Sequence, residues 1–325
     1  LQRPETYHSK ILLFGEYSIL LGSSALSIPY WHFSAGLSFI GEDRYTDLDL
    51  ALESNTMLKA LHHHYSGNPD SFSVILDLDR FGNDIASGLY LESNIPQGYG
   101  LGSSGALCAA LYARYARNRI HASGRIKKVE IIRLKEIFGE MESFFHGRSS
   151  GFDPLVIYLR FPLQIGSEGV PSIVGMPRNR KDTAGGIFLL DTGMAGKTGP
   201  LVNLFLEKFA PGGAAETEGS RLCELNNTCI SHFLTGSVDA FWSELKTLSG
   251  FQLNGFQSMI PQHMRSVWQE GLDTGLFYLK LCGSGGGGFL TGFAPDYWKV
   301  NAHFRQQNMH IVPVYLAAFE RSDNK

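Results

Sequence analysis

The sequence predicts an α+β fold in two domains, and three observations carry that prediction. Strands and helices mix without a strict βα repeat, which disfavours a doubly wound sheet. A chain of 325 residues, 43% hydrophobic, can bury more than one core at roughly 100–200 residues per domain. The stretch GSEGVPSIVGMPRNRKDTAGG, from Gly166 to Gly186, is rich in glycine, proline and charge, the composition of a boundary. The domains expected are therefore 1–180 and 181–325.

The elements follow in chain order. KILLFGEYSILLG, residues 10 to 22, reads as a strand over Ile11 to Phe14 broken at Gly15. SFSVILDL alternates Phe72, Val74, Leu76 and Leu78 on one face, the period of a half-buried strand. GALCAALYARYARN reads as a helix. KKVEIIRLKEIFGEMESFFHG carries Leu134, Ile137, Phe138, Met141 and Phe145 at helical spacing and stops near Gly147. Past the boundary, GIFLLDTG reads as a strand, and PLVNLFLEKF and SVDAFWSELKTL as helices. LFYLKLCGSGGGGFLTGF reads as two strands around a glycine loop. A short helix near VNAHFRQQ and a strand in HIVPVYLAAF complete the chain.

Composition excludes several functions. A net charge of −3, from 28 basic and 31 acidic side chains, gives no support to nucleic-acid binding, which asks for a basic patch. Four cysteines, Cys108, Cys223, Cys229 and Cys282, form no CxxC pair and are too few for a disulfide framework. They are expected to be reduced. No apolar run approaches the ~18 residues of a membrane span, and no signal-peptide pattern opens the chain, which begins at Leu1 rather than Met. A cytoplasmic protein without membrane or nucleic-acid partners is expected. His62, His63 and His64 lack a carboxylate at ligand spacing, so no metal is assigned to them.

The most informative stretch is IPQGYGLGSSGALCAAL, residues 95 to 111. Gly98, Gly100 and Gly102 remove every second side chain, so main-chain N–H groups can face a ligand. Ser103 and Ser104 stand where an N-cap belongs, which puts the positive end of a helix dipole at the loop. The combination suits a phosphate. Two familiar phosphate loops fit poorly. No lysine follows the glycines, as GxxxxGK[ST] requires. Gly100, Gly102 and Gly105 have dinucleotide spacing, but HASGRIKK occupies the region where an acidic residue should follow.

With two further segments this loop resembles the GHMP kinase superfamily, the galacto-, homoserine, mevalonate and phosphomevalonate kinases. KILLFGEYSILLG, PQGYGLGSSGA and KLCGSGGGG occur in the family's order, and FFHGRSSGFD, residues 144 to 153, is most similar to the mevalonate kinase form HGxPSGxD. The resemblance implies an N-terminal ribosomal-S5-like α/β domain, a C-terminal ferredoxin-like α+β domain and an active site between them. It implies ATP and Mg²⁺ as cofactors, a small-molecule alcohol as substrate, and allows a homodimer.

Residue by residue, the resemblance makes Asp153 the catalytic carboxylate and Lys10 the active-site lysine. Gly98, Gly100, Leu101, Gly102, Ser103, Ser104 and Gly105 become the nucleotide loop, and Ser104 and Glu142 the magnesium ligands. Lys10, Glu16, Tyr17, Ser150, Asp153, Thr198 and Gly285 become the acceptor surroundings. Tyr17 stands where mevalonate kinases carry histidine, GEY being the phosphomevalonate kinase form, while Ser149 and Gln97 replace prolines. Asp153 would orient or deprotonate the attacking hydroxyl, with Lys10 holding it ionised. Glu142 lies in the last turn of its helix, where the dipole disfavours a carboxylate by about 0.3–1 kcal/mol unless a cation offsets it. Gly139, one turn earlier, leaves room for another segment. The favoured acceptor is mevalonate. The rivals are phosphomevalonate or a sugar, and a non-catalytic sensor of nucleotide.

Overall fold

A computed structural model of the chain describes residues 5–41, 47–122, 125–177, 185–196, 198–209 and 211–316. The expected boundary at 180/181 lies outside these residues. The chain forms two compact units that alternate along the sequence. One takes in Leu1–Ile11, Ser27–Pro96 and Leu101–Leu163, the other Leu12–Leu26, Gln97–Gly100 and Gln164–Lys325.

The first half of the chain runs β1 (Thr6–Phe14), a 3-10 turn (Ser18–Leu21), β2 (Ala25–Phe39), α1 (Leu48–Ser66), α2 (Pro69–Ile75), α3 (Leu78–Ala86) and β3 (Leu89–Ser93). Then come α4 (Ser103–Tyr115), α5 (Lys128–His146), α6 (Phe152–Leu159), β4 (Leu163–Ile165) and β5 (Pro171–Ile173). The sheet order is β1-β2-β4-β5, with β3 antiparallel on β2 so that Leu37 faces Leu91 and Phe39 faces Leu89. In α4 every residue from Gly105 to Tyr112 is buried, the mark of a helix enclosed on all sides. Around it Tyr112, Phe138 and Tyr158 pack with ring centroids 5.3–5.5 Å apart, two of the three pairs edge-on.

Residues 71–78 are not a strand. Most of that run belongs to α2, which starts at Pro69 in the first helical turn, where a missing N–H costs nothing. Phe72 and Leu76, four apart, are buried, while Val74 is 67% exposed. The apparent alternation thus combines Phe72 on the buried face of α2, Leu76 at its extended C-cap and Leu78 at the start of α3.

The second half runs β6 (Gly186–Asp191), α7 (Thr198–Phe209), α8 (Glu216–Thr235), α9 (Val238–Gly255), α10 (Met264–Thr274), β7 (Tyr278–Leu281), β8 (Phe289–Ala294), α11 (Tyr297–Gln306) and β9 (Ile311–Leu316). Its sheet has the order β7-β8-β6-β9, and its three pairings are antiparallel. Strand, helices, two strands, helix, strand in that order is the ferredoxin-like arrangement the sequence predicts. Sheets and helices mix as the expected α+β class requires.

Among the described residues no helix is long and apolar enough to cross a membrane. All four cysteines are free thiols.

Candidate active site

In the first unit, β1 delivers Lys10 and the first turn of α6 delivers Asp153. Lys10 is 3% exposed, and its Nζ lies 2.8 Å from Asp153 Oδ2, whose side chain is about one-third exposed. The buried ammonium therefore has an acidic partner that still reaches solvent. Asp153 also sits at the positive end of α6, which favours a carboxylate. The amide of Lys10 donates to Leu101 O at 3.1 Å, tying β1 to the turn before α4.

Gly102, in the left-handed region at φ 80°, is the N-cap of α4, and no side chain caps it. The serine cap expected from sequence is absent because the helix begins one residue earlier, with Ser103 and Ser104 already inside its first turn. Ser104 is thereby released for another bond: its Oγ donates to Glu142 Oε1 at 2.8 Å. Glu142, on α5, is 4% exposed. Its second oxygen accepts from Ser149 Oγ at 2.5 Å. Ser150 is exposed, and its Oγ accepts from the Phe152 amide.

Two glycines make this arrangement possible by close approach. A Cβ on Gly105 would stand 2.9 Å from Pro154 N, so only glycine lets α4 meet the residues around Asp153. A Cβ on Gly151 would stand 2.0 Å from Lys135 O, in a residue already at φ 69°. The segment that approaches Gly139 is Ser149–Gly151. Beside it opens a cleft of about 600 Å³, lined among others by His64, Lys135, Glu140, Arg148, Ser149 and Ser150.

The second unit holds the other glycine residues. Gly98 and Gly100 have φ 76° and 74°. Gly98 O accepts from Gly196 N at 3.1 Å, and a Cβ on Gly100 would meet Cys282 O at 2.8 Å. Gly285 is pressed closer still, a Cβ there standing 2.5 Å from Met259 O, whose carbonyl also accepts from Gly286 N at 2.6 Å. Glu16 forms an ion pair with Lys280, both side chains at most 1% exposed. Lys280 also donates to Leu281 O at 2.9 Å. Tyr17, at φ 61°, donates its hydroxyl to Ser284 O at 2.5 Å, and its ring packs on Phe205 and Phe256. Burial pushes its phenol well above the ordinary tyrosine range. Thr198 opens α7, but its side chain lies outside the described residues.

Lys10 with Asp153, and Ser104 with Glu142, are thus brought together. Glu16 and Tyr17 are instead turned toward Lys280 and Ser284. Sequence reasoning does not find the roles of Lys280 and Ser149. Lys280 lies inside the quoted KLCGSGGGG, but its partner is 264 residues away. For Ser149 the only signal is the replacement of a proline.

Residues 56–160 match the GHMP kinases N terminal domain. Among solved structures, the Methanococcus jannaschii mevalonate kinase aligns with TM-score 0.63 at 16% identity, over 96% of this chain and 97% of that one. The L. major mevalonate kinase in complex with R-mevalonate aligns with TM-score 0.60 at 14% identity, over 97% and 96%. The Streptococcus pneumoniae phosphomevalonate kinase, in complex with phosphomevalonate and AMPPNP, aligns with TM-score 0.60 at 13% identity, over 95% and 99%. Among curated proteins none matches by sequence. Residues 56–160 thus match the GHMP kinase N-terminal domain, and the chain shares the fold of these kinases.

Proposed function

We propose that the protein is an ATP- and Mg²⁺-dependent small-molecule kinase that phosphorylates the primary hydroxyl of mevalonate. The observation that carries this reading is the contact of Lys10 with Asp153 at 2.8 Å, in the unit that also holds the uncapped N-terminus of α4. Phosphoryl transfer asks for positioning and charge neutralisation more than for covalent chemistry. A carboxylate that reaches solvent while bonded to a buried ammonium is suited to orient a hydroxyl and take its proton. Lys10, fixed by that bond, places positive charge where the transferred group gathers negative charge. The start of α4 and its glycines, Leu101 to Gly105, supply the anion-binding helix end.

The residues present fit magnesium. Among the described residues no group of three or more His, Cys, Asp or Glu side chains could hold a metal. Mg²⁺ instead favours one or two protein oxygens, with phosphates and water completing its shell. Glu142 and Ser104 would be such a pair, with the Ser104 hydroxyl donating a hydrogen bond to the carboxylate at 2.8 Å. Bound there, the ion would neutralise phosphate charge. Ser150, Thr198 and Gly285 are assigned to the acceptor's surroundings. Glu16 and Tyr17 serve this reading indirectly, by shaping the turn they stand on.

The reading is tested by following ADP formation against mevalonate, phosphomevalonate, galactose and homoserine. Turnover with mevalonate is expected. Turnover only with another acceptor moves the assignment within the superfamily, and nucleotide binding without turnover leaves a sensor. Asp153→Asn should keep nucleotide affinity and lower kcat roughly 100-fold or more. Unchanged turnover in that variant removes Asp153 from the mechanism.

A further inference from the structure

The buried Glu142 carboxylate accepts from two hydroxyls, one on each oxygen. Ser104 Oγ donates to Oε1 and Ser149 Oγ donates to Oε2. Ser149 Oγ in turn accepts the Gly151 amide at 3.1 Å, which fixes the direction of its own proton. The turn holding Ser149 packs closely against α5. Gly151 sits at φ 69° with no room for a Cβ against Lys135 O, and Ser149 O lies 3.1 Å from where a Cβ of Gly139 would stand. A closely packed turn therefore places the Ser149 hydroxyl on one oxygen of the carboxylate while Ser104 holds the other.

We propose that Ser149 is a positioning residue for Glu142. By occupying Oε2 it turns Oε1 and the Ser104 hydroxyl oxygen into the pair of oxygens offered to a divalent cation. This rests on the reading of Glu142 and Ser104 as magnesium ligands. The device matters for magnesium because that ion demands near-ideal octahedral geometry and tolerates little ligand wandering. A glutamate has three side-chain torsions, and the hydroxyl removes the freedom of the last. Outer partners that orient a ligating carboxylate in this way commonly govern metal affinity. Proline at this position has no proton to donate, so a chain with serine here holds its carboxylate by a bond that a proline-bearing chain lacks.

The test measures AMPPNP binding by calorimetry, in Mg²⁺ and in EDTA, so that no turnover is needed. Ser149→Ala should reduce the gain in affinity conferred by Mg²⁺ by about 10-fold and leave the affinity in EDTA unchanged. Ser149→Thr, which keeps the hydroxyl, should restore the gain. Ser149→Cys, close in size but a weak donor, should behave like the alanine variant and serves where alanine fails to fold. Mn²⁺ titration followed by electron paramagnetic resonance should show the same order of affinities. Glu142→Gln separates the two ideas. If it loses the Mg²⁺ gain while Ser149→Ala keeps it, positioning by Ser149 is overturned and the magnesium reading stands. If Glu142→Gln keeps the gain, both fall. An equal loss in Mg²⁺ and EDTA for Ser149→Ala overturns the proposal in favour of a purely structural role.

Discussion

Replacing Lys280 by methionine isolates charge from packing in the core of the second unit. The two side chains are similar in length, and the Lys280 ammonium lies 5.6 Å from the Phe14 ring centroid, so the apolar stem keeps its surroundings. What disappears is the positive partner of Glu16, whose side chain is 1% exposed. Removing one member of a buried pair strands the other, at a cost of about 3–5 kcal/mol. That is a large fraction of the roughly 5–15 kcal/mol by which folded domains are stable. Urea unfolding followed by tryptophan fluorescence reports it directly, since Trp268 is fully buried in α10 of the same unit. Lys280→Met should move the midpoint strongly downward. Glu16→Gln combined with Lys280→Met should recover part of the loss, giving a coupling of about 1–3 kcal/mol in the double-mutant cycle. A shift for Lys280→Met worth less than about 0.5 kcal/mol, the scale of an ordinary surface change, would refute the argument that charge pairing holds this turn.

Three further outcomes follow from close approach and burial. Gly151→Ala should lower the thermal midpoint well beyond Gly147→Ala, because both residues have positive φ but only Gly151 meets backbone within 4 Å; equal shifts in a thermal scan would remove the close-approach argument. Burial pushes the Cys229 thiol up to about 12 from its ordinary 9.0 and raises Cys108 as well, so iodoacetamide should label half-exposed Cys223 ahead of both in the native protein. The same shift gives a sign for stability. The folded state holds the Cys229 proton more tightly than the unfolded state, so this contribution is complete below about pH 9 and is lost as pH rises toward about 12. Urea midpoints that stay level across that window would contradict it.

The fold was readable where local pattern and burial agree. The small and apolar run of α4, the helical spacing of α5 and the continuous apolar run of β6 announce themselves because each is an unbroken local pattern. Residues 71–78 misled because four apolar positions at spacing two fit a strand, while of these the chain buries only Phe72, in α2, and Leu76, at its C-cap. Ser103 and Ser104 misled in a smaller way. Serine favours an N-cap, but Gly102 can take the left-handed conformation and begin the helix first, which frees Ser104 for Glu142. Lys10 and Asp153 carry no local signal of their meeting; only the resemblance pairs them. The bond from Ser149 to Glu142 depends on the exact lie of a turn, which residue spacing does not encode.

Tyr17 shows how the structure changes the weight of a sequence mark. As a letter it argues against mevalonate, because it replaces histidine beside an acceptor. As a side chain it is 5% exposed, packed 4.8 Å from the Phe205 ring and 5.7 Å from the Phe256 ring. Its hydroxyl is spent on Ser284 O. Burial keeps the phenol protonated, so it remains a donor to that carbonyl. A side chain so engaged holds the turn against the glycine loop of its own unit. The exchange of histidine for tyrosine therefore speaks to how that loop is anchored. Ser150 and Arg148, by contrast, are exposed beside the cleft of the first unit.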